Sequence, residues 1–229
     1  KSGKRGNNRN FSINYSGSLQ ARQVSYLPDM QNEFGQGWNG AQTFIENGSW
    51  GPALDGSMQV YGPIWNNQQL IHEYSAKKNN VKDFFDLGWS QNHTLSMSGI
   101  SSDSKMDYYL SYSYANDDGI MPKDYDTYER NTIAFRSSYE ATDWLKISSS
   151  VNFARSSIDA VGSFQGTSVI DGLYEMSRDV SIVDMKDTSL AFNTPEAYFT
   201  PYGITNPYWS LENNYHHTSS KQIYGKLQL

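Results

Sequence analysis

Aromatic side chains set among amide-bearing residues are the part of this sequence best suited to binding chemistry. They fall in two stretches, near residues 23–90 and 157–218. The candidate ligand or partner contacts are Trp38, Trp50, Trp65, Tyr174, Tyr202, Tyr208 and Trp209. Flat aromatic faces beside asparagine and glutamine suit a sugar or a peptide, and they also suit a protein partner. The alternative is that these rings pack the two stretches internally or lie at a boundary between water and an apolar phase.

A cluster of oxygen-bearing side chains between residues 116 and 126 raises the question of a calcium site. The cluster comprises Asn116, Asp117, Asp118, Asp124 and Asp126, with Gly119 between them. The spacing differs from that of an EF-hand loop, and an Asp-Gly turn accounts for the first group without a metal. We therefore predict no cofactor and keep calcium as the lesser alternative.

Catalytic and transition-metal chemistry find little support in the sequence. His216 and His217 are neighbours entering a strand, so their side chains point to opposite faces and cannot easily share one ion. The absence of cysteine removes thiolate ligands and thiol nucleophiles. Serine, histidine and aspartate residues form no nucleophile elbow. We predict that the protein is not an enzyme.

The composition limits which elements can carry these side chains. Charged residues are only 18% and aromatic residues reach 14%, the reverse of a disordered chain. The net charge of -6 gives no indication of nucleic-acid binding. No run approaches 18 apolar residues, which excludes a transmembrane helix, but membrane strands alternate and pass this test.

Alternation with a period of two recurs six times and predicts six antiparallel strands. In the first of them Phe11, Ile13 and Leu19 share a face, with serine, asparagine and glutamine on the other. The predicted strands lie near residues 10–22, 91–100, 105–115, 128–140, 144–156 and 219–229. A length of about ten residues suits a tilted membrane strand.

The connections between these strands alternate strictly between long and short. Long segments follow the first, third and fifth strands, and short turns follow the second and fourth. Barrels of the outer membrane have short periplasmic turns and long extracellular loops. The pattern therefore predicts an outer-membrane β-barrel of a Gram-negative bacterium, with the long loops near 23–90 and 157–218 outside the cell.

The parity of charged residues supports the same interpretation. The cations that share the polar face of their strands are Arg22, Arg136, Lys146 and Lys226. Glu129 and Arg155 share the apolar face, but each lies at a strand end beside a long loop, where a side chain can reach the interface. Six strands cannot close a water-filled barrel, so we expect this chain to be a segment of a longer one, with both ends on the periplasmic side.

Several stretches resemble the SusC/RagA family of TonB-dependent outer-membrane transporters. The matching stretches, in family order, are Lys1–Gly6, Gln91–Gly99, Tyr108–Tyr112, Asp118–Ile120, Tyr128–Arg130, Thr142–Lys146, Asn206–Trp209 and Gly225–Leu227. The first is similar to the junction between the plug domain and the first barrel strand. The long loops carry little that resembles the family.

The resemblance implies a 22-stranded barrel of which this chain would be the N-terminal part, beginning just after an internal plug. It also implies import of a glycan or oligopeptide, energy from TonB acting through the plug, and a SusD-like surface lipoprotein as partner. The TonB box, the plug and the last strand of the family have no counterpart in these residues, so the segment alone is not expected to transport.

Two other classes of protein stay open at this point. A soluble, aromatic-rich carbohydrate-binding β-sandwich also alternates, although two such long loops would be unusual in it. A porin without a plug, or a barrel for protein translocation, would share the architecture and differ in the plug. Within the barrel interpretation, Tyr112, Tyr114 and Tyr139 are expected at the lipid interface, outside the ligand site.

Overall fold

The computed structural model describes residues 11–43, 45, 47–163, 168–194 and 205–229. Within them the chain forms ten strands and two short α-helices. The strands are β1 (Phe11–Arg22), β2 (Gly37–Trp38), β3 (Ala41–Gln42), β4 (Met58–Trp65), β5 (Gln68–Glu73), β6 (Gly88–Ile100), β7 (Met106–Asp118), β8 (Thr127–Thr142), β9 (Leu145–Val161) and β10 (Tyr215–Gln228). The helices are α1 (Val169–Tyr174) and α2 (Pro207–Asn213).

Six long strands form one antiparallel sheet in the order β1-β6-β7-β8-β9-β10. The class predicted from the alternation, mostly antiparallel β, is therefore confirmed. Each strand of this sheet pairs with the strand that precedes it in that order, and β1 and β10 form the two edges of the sheet within the described residues. A closed barrel is not present in this part of the chain.

The sheet strands extend beyond the predicted ranges at the end that carries the long connections. β9 continues to Val161 and β10 starts at Tyr215, because these two residues still pair across the ladder. The prediction ended both strands where the apolar alternation fades. Backbone hydrogen bonds do not require apolar side chains, and so the pairing outlasts the pattern.

Three connections leave the same end of the sheet. We call residues 23–87 the first loop, 119–126 the second loop and 162–214 the third loop. The first loop contains the small hairpins β2–β3 and β4–β5, and the third loop contains both helices. At the opposite end, short turns join β6 to β7 and β8 to β9. All three loops are thus brought together at one end by the antiparallel order of the strands.

Local sequence signals start the helices and close the larger hairpin. Asn206 caps α2 by accepting a hydrogen bond from the Tyr208 amide at 2.9 Å, and Pro207 takes the first helical position. Asn66 and Asn67 both adopt positive φ in the turn between β4 and β5, a conformation that asparagine tolerates well. None of the helices in the described residues has the length and apolar character needed to cross a membrane.

The buried apolar core lies among the loops, away from the faces of the sheet. Its members are Val81, Phe84, Val169, Leu173, Met176, Val180, Ile182, Met185, Tyr208 and Leu211. Residues from the first and third loops contribute to it, and Ile182 and Leu211 are fully buried. The described parts of the long connections are therefore held together by mutual packing and do not need to lie on the sheet.

Candidate functional site

One face of the six-stranded sheet carries apolar side chains in continuous rows across the strands. One row consists of Tyr15, Leu95, Tyr112, Ile133, Phe153 and Ile223. The next consists of Ile13, Met97, Leu110, Phe135, Val151 and Gly225. In the described residues no second layer packs on these rows: Ile13 is 56% exposed and Ile223 is 75% exposed. A face of this size is far more apolar than the surface of an ordinary soluble domain.

The height of the apolar band can be read along β9. It runs from Leu145 to Phe153 on alternate residues, and at about 3.4 Å per residue this covers roughly 27 Å of strand. A tilt of about 40° reduces that length to roughly 20 Å, close to the roughly 25 Å band of an outer-membrane barrel. The band therefore has dimensions that suit the hydrocarbon layer of a bilayer.

Two serines interrupt the apolar band and satisfy each other. Ser137 and Ser149 face each other across β8 and β9, and their hydroxyl oxygens lie 2.9 Å apart. One hydroxyl donates to the other, so this pair can be accommodated among apolar neighbours at low cost. The polar interruption is therefore compatible with an apolar environment.

The opposite face of the sheet is polar and built mostly from small side chains. A typical row contains Ser16, Thr94, Ser113, Thr132, Ala154 and Gln222. Thr94 and Ser113 are hydrogen-bonded at 3.0 Å, and Arg22 pairs with Asp117 near the loop end. Arg136 and Lys226 belong to this face, as their parity predicted. One face of the sheet thus suits an apolar environment, and the other face suits water.

Tyrosine hydroxyls mark the edge of the apolar band that faces the loops. The Tyr15 hydroxyl lies 2.7 Å from His93 Nδ1, and the Tyr112 hydroxyl donates to Asn131 Oδ1 at 2.5 Å. Both partners belong to the next row toward the loops. Each ring thus lies over the apolar band with its polar end toward the loops, the arrangement expected of an interfacial aromatic belt.

The first and third loops are joined by buried polar contacts as well as by the apolar core. Asn80 donates to the Val180 carbonyl at 2.6 Å and accepts from the Ile182 amide at 2.8 Å. Arg178 is 4% exposed and donates to the Gln31 carbonyl at 2.9 Å and to Asn32 Oδ1 at 2.8 Å. The two long loops therefore form one structural unit, which we call the loop unit.

A histidine–aspartate pair joins β5 of the first loop to the third loop. His72 Nε2 lies 2.5 Å from Asp179 Oδ2, and Ser177 donates to the other oxygen of Asp179. The serine contacts the carboxylate instead of the imidazole, so the three residues do not have the geometry of a nucleophilic triad. Burial alone would raise the pKa of Asp179, but the hydrogen bonds from His72 and Ser177 outweigh it and lower that pKa below its usual 3.8.

The lowered pKa of Asp179 predicts that the loop unit loosens in acid. A carboxylate with a depressed folded pKa contributes stability above its unfolded pKa and loses it as the pH falls through the folded value. We therefore expect protease resistance of the loop unit to fall below about pH 4. The Asp179→Asn variant is expected to be more protease-sensitive than wild type at pH 7 and to differ less from it as the pH falls below 4. An unchanged difference between the two proteins over this range would contradict the assignment.

The predicted ligand contacts have different surroundings in the structure. Trp38 lies against Gly48 and is 48% exposed, and Trp50 is tilted against Phe34 with ring centroids 5.7 Å apart and is 60% exposed. Both keep an open aromatic surface. Trp65 is half-buried at the end of β4.

The four predicted ligand contacts of the third loop differ in their surroundings. Tyr208 is 2% exposed and packs on Phe84 with ring centroids 4.8 Å apart, so it belongs to the core and offers no free face to a ligand. Trp209 is half-buried next to it, and Tyr202 lies outside the described residues. Tyr174 lines a cavity of about 290 Å³ together with Leu27 and Arg178.

This cavity is a concave part of the loop unit with room for a small group. Its lining residues include Leu27, Val81 and Tyr174, together with the cationic residues Lys78 and Arg178. Sequence reasoning did not single out Arg178, because nothing in its local pattern distinguishes it within the third loop. Only the packing of that loop on residues 31, 32 and 77 gives it a defined place.

The acidic cluster of the second loop is organised by backbone hydrogen bonds. Asp126 accepts from the Ile120 amide at 2.9 Å and from the Met121 amide at 3.1 Å, and the Gly119 amide donates to the Asp126 carbonyl at 3.0 Å. Burial raises the pKa of Asp126 above its usual value. No group of three or more potential metal ligands occurs within the described ranges, and His217 is paired with Asp159 at 2.7 Å.

Comparison with protein families and with curated protein sequences gives no match for this chain. Its function must therefore be argued from the two faces of the sheet and from the loop unit.

Proposed function

We propose that this chain is the wall and outer loop region of a TonB-dependent outer-membrane transporter of the SusC type. The observation that carries the proposal is the pairing of an unpacked apolar face with a polar face on the same six strands. In such a barrel the apolar face contacts lipid and the polar face lines the lumen. The strands β1 and β10 would pair with further strands, because an open edge leaves backbone groups unsatisfied in lipid.

The loop unit would lie on the extracellular side and take part in ligand recognition. Loops held on a rigid sheet are the usual place for binding residues. The open faces of Trp38 and Trp50 and the cavity beside Tyr174 suit a glycan or an oligopeptide. A SusD-like lipoprotein would cover this side, and TonB would act through a plug inside the barrel. The chemistry is non-covalent binding and passage, so the proposal requires no enzyme activity.

A soluble β-sandwich is the weaker alternative. A sandwich buries the apolar face of one sheet against a second sheet about 10 Å away. Here the only other sheets of the described residues are the two small hairpins of the first loop. The two hairpins are too small to cover the apolar rows. The hydrocarbon layer of a bilayer would be large enough to cover them.

Single-cysteine labelling of the full-length protein tests the proposed orientation. These 229 residues contain no cysteine, so an introduced cysteine is the only one in this part of the protein, and the full-length protein without it serves as the labelling control. Leu190→Cys, in the third loop, is expected to react with a membrane-impermeant maleimide on intact cells. Asp143→Cys, in the turn between β8 and β9, is expected to react only after lysis. Labelling of both variants on intact cells, or release of the protein without detergent, would overturn the proposal.

A further inference from the structure

Two cations without an ion-pair partner among the described residues lie on the apolar side of the sheet, one row closer to the loops than Tyr15 and Tyr112. Lys221 and Arg155 occupy facing positions on β10 and β9, and they share a face with Ile223 and Phe153. Both are exposed, and neither takes part in an ion pair with any described residue. The parity of Lys221 was readable from the sequence, but only the register places it directly beside Arg155.

The side chains around this cation pair form an ordered series along the strands. Asn131 faces Arg155 from β8, and its amide donates to Glu129 Oε1 at 2.9 Å. Glu129 and Asp159 lie further toward the loops, and Asp159 already contacts His217 and Thr127. Toward the loops, this face therefore presents the apolar band, which ends at the row of Tyr15 and Tyr112, then the two cations, and then the carboxylates.

Two like charges in facing positions on neighbouring strands repel, and no described carboxylate forms an ion pair with either of them, so a bound anion would stabilise the pair. A guanidinium with an ammonium beside it matches the oxygen geometry of a phosphate group. The adjoining row on the side away from the loops is apolar, so the anion that fits here also carries hydrocarbon chains. These three features together describe an anionic lipid.

We propose that Arg155 and Lys221 bind the phosphate of an anionic lipid headgroup in the leaflet next to the loops, while its acyl chains cover the rows of Phe153 and Ile223. The inference rests on the proposed function in one respect, since it requires that the apolar face contacts lipid. It adds a lipid preference at a defined place on the outer wall.

Native mass spectrometry of the full-length detergent-purified protein tests this. The probes are phosphatidylglycerol and phosphatidylcholine with identical acyl chains. We expect wild type to retain the anionic lipid over the zwitterionic one by roughly 30-fold, as two interfacial cations imply. The R155Q/K221Q variant is expected to lose most of that preference. The R136Q/K226Q variant makes the same charge change on the polar face and is expected to keep it. Excess inorganic phosphate is expected not to displace the bound lipid.

The possible failures are distinguishable. Equal retention of both lipids by wild type, or equal loss of preference in both double variants, overturns the headgroup site while leaving the transporter proposal intact. Displacement by inorganic phosphate would mean that the cations bind a soluble anion, which also overturns it. Retention of neither lipid overturns the headgroup site, and the cysteine-labelling experiment then tests the proposed function by itself. A heat-dependent mobility shift on gels checks folding, and Lys221→Gln alone replaces the double variant if the latter fails to fold.

Discussion

Val151→Arg is expected to destabilise the protein in a bilayer by about 2–4 kcal/mol, because it places a charge near the middle of the apolar band. Val151 pairs with Phe135 on one side and Gly225 on the other. It is 45% exposed and has open space before it. An exposed site in a soluble protein would tolerate the same change within about 0.5 kcal/mol. The measurement is urea unfolding of the full-length protein from lipid vesicles, followed by tryptophan fluorescence.

Asn152→Arg is the matched control for this experiment. Asn152 is the next residue of β9 and belongs to the polar face, where it faces Ala134 and Tyr224 and no cation. A lumen-facing arginine remains hydrated, so its cost is expected to stay below about 1 kcal/mol. Equal effects of the two substitutions would show that the two faces meet the same solvent, and the assignment of the apolar face to lipid would then be wrong.

Leu211→Ala is expected to destabilise the loop unit by about 2–5 kcal/mol while leaving the sheet folded. Leu211 is fully buried in α2, within the core that joins the first and third loops. Removing its side chain leaves a cavity there, whereas the six strands keep their own ladder of hydrogen bonds. The measurement is hydrogen exchange of backbone amides in the loop unit and in β6 to β9.

Leu190→Ala serves as the control, since Leu190 is 54% exposed and lies in the same loop. Its effect is expected to remain within about 0.5 kcal/mol. Faster exchange throughout the sheet strands in Leu211→Ala would indicate that the loop core stabilises the whole molecule, in conflict with the separation of loop unit and sheet described above.

The apolar core and the buried polar contacts of the loop unit explain how the loops can keep one arrangement although neither face of the sheet is covered by a second layer in the described residues. The loop unit is joined by an apolar core, by Asn80 and by Arg178, and these contacts involve few residues of the six strands. Under the proposed function, these contacts would give the binding surface a fixed shape at the loop end of the sheet. A fixed shape reduces the ordering cost on binding, which favours recognition of a ligand or of a covering partner.

Much of the sheet could be predicted from the sequence because its pattern is local. Alternation around Phe11–Leu19 and Ile133–Tyr139 fixes which side chains share a face, since successive residues of a strand point in opposite directions. Arg155 does lie beyond the apolar band on the loop side, but its predicted position at a strand end was wrong, because β9 continues to Val161. The position of Lys221 could have been found by the same parity rule.

The loops could not be predicted in the same way. His72 and Asp179 are 107 residues apart in the sequence, and no local periodicity relates them. Tyr208 and Trp50 are both aromatic residues among amides, yet one is buried in the core and the other is exposed. Aromatic composition therefore indicated binding chemistry in the loops without separating surface rings from packing rings.

The sequence by itself determined the six strands, their antiparallel order and the apolar and polar sides, because period two and short turns act between neighbouring residues and neighbouring strands. Only the tertiary structure decided that the first and third loops share one core, that Arg178 lines a cavity beside Tyr174, and that Arg155 meets Lys221. Those contacts join residues far apart in the chain, and their free energy depends on packing and register that no single segment encodes.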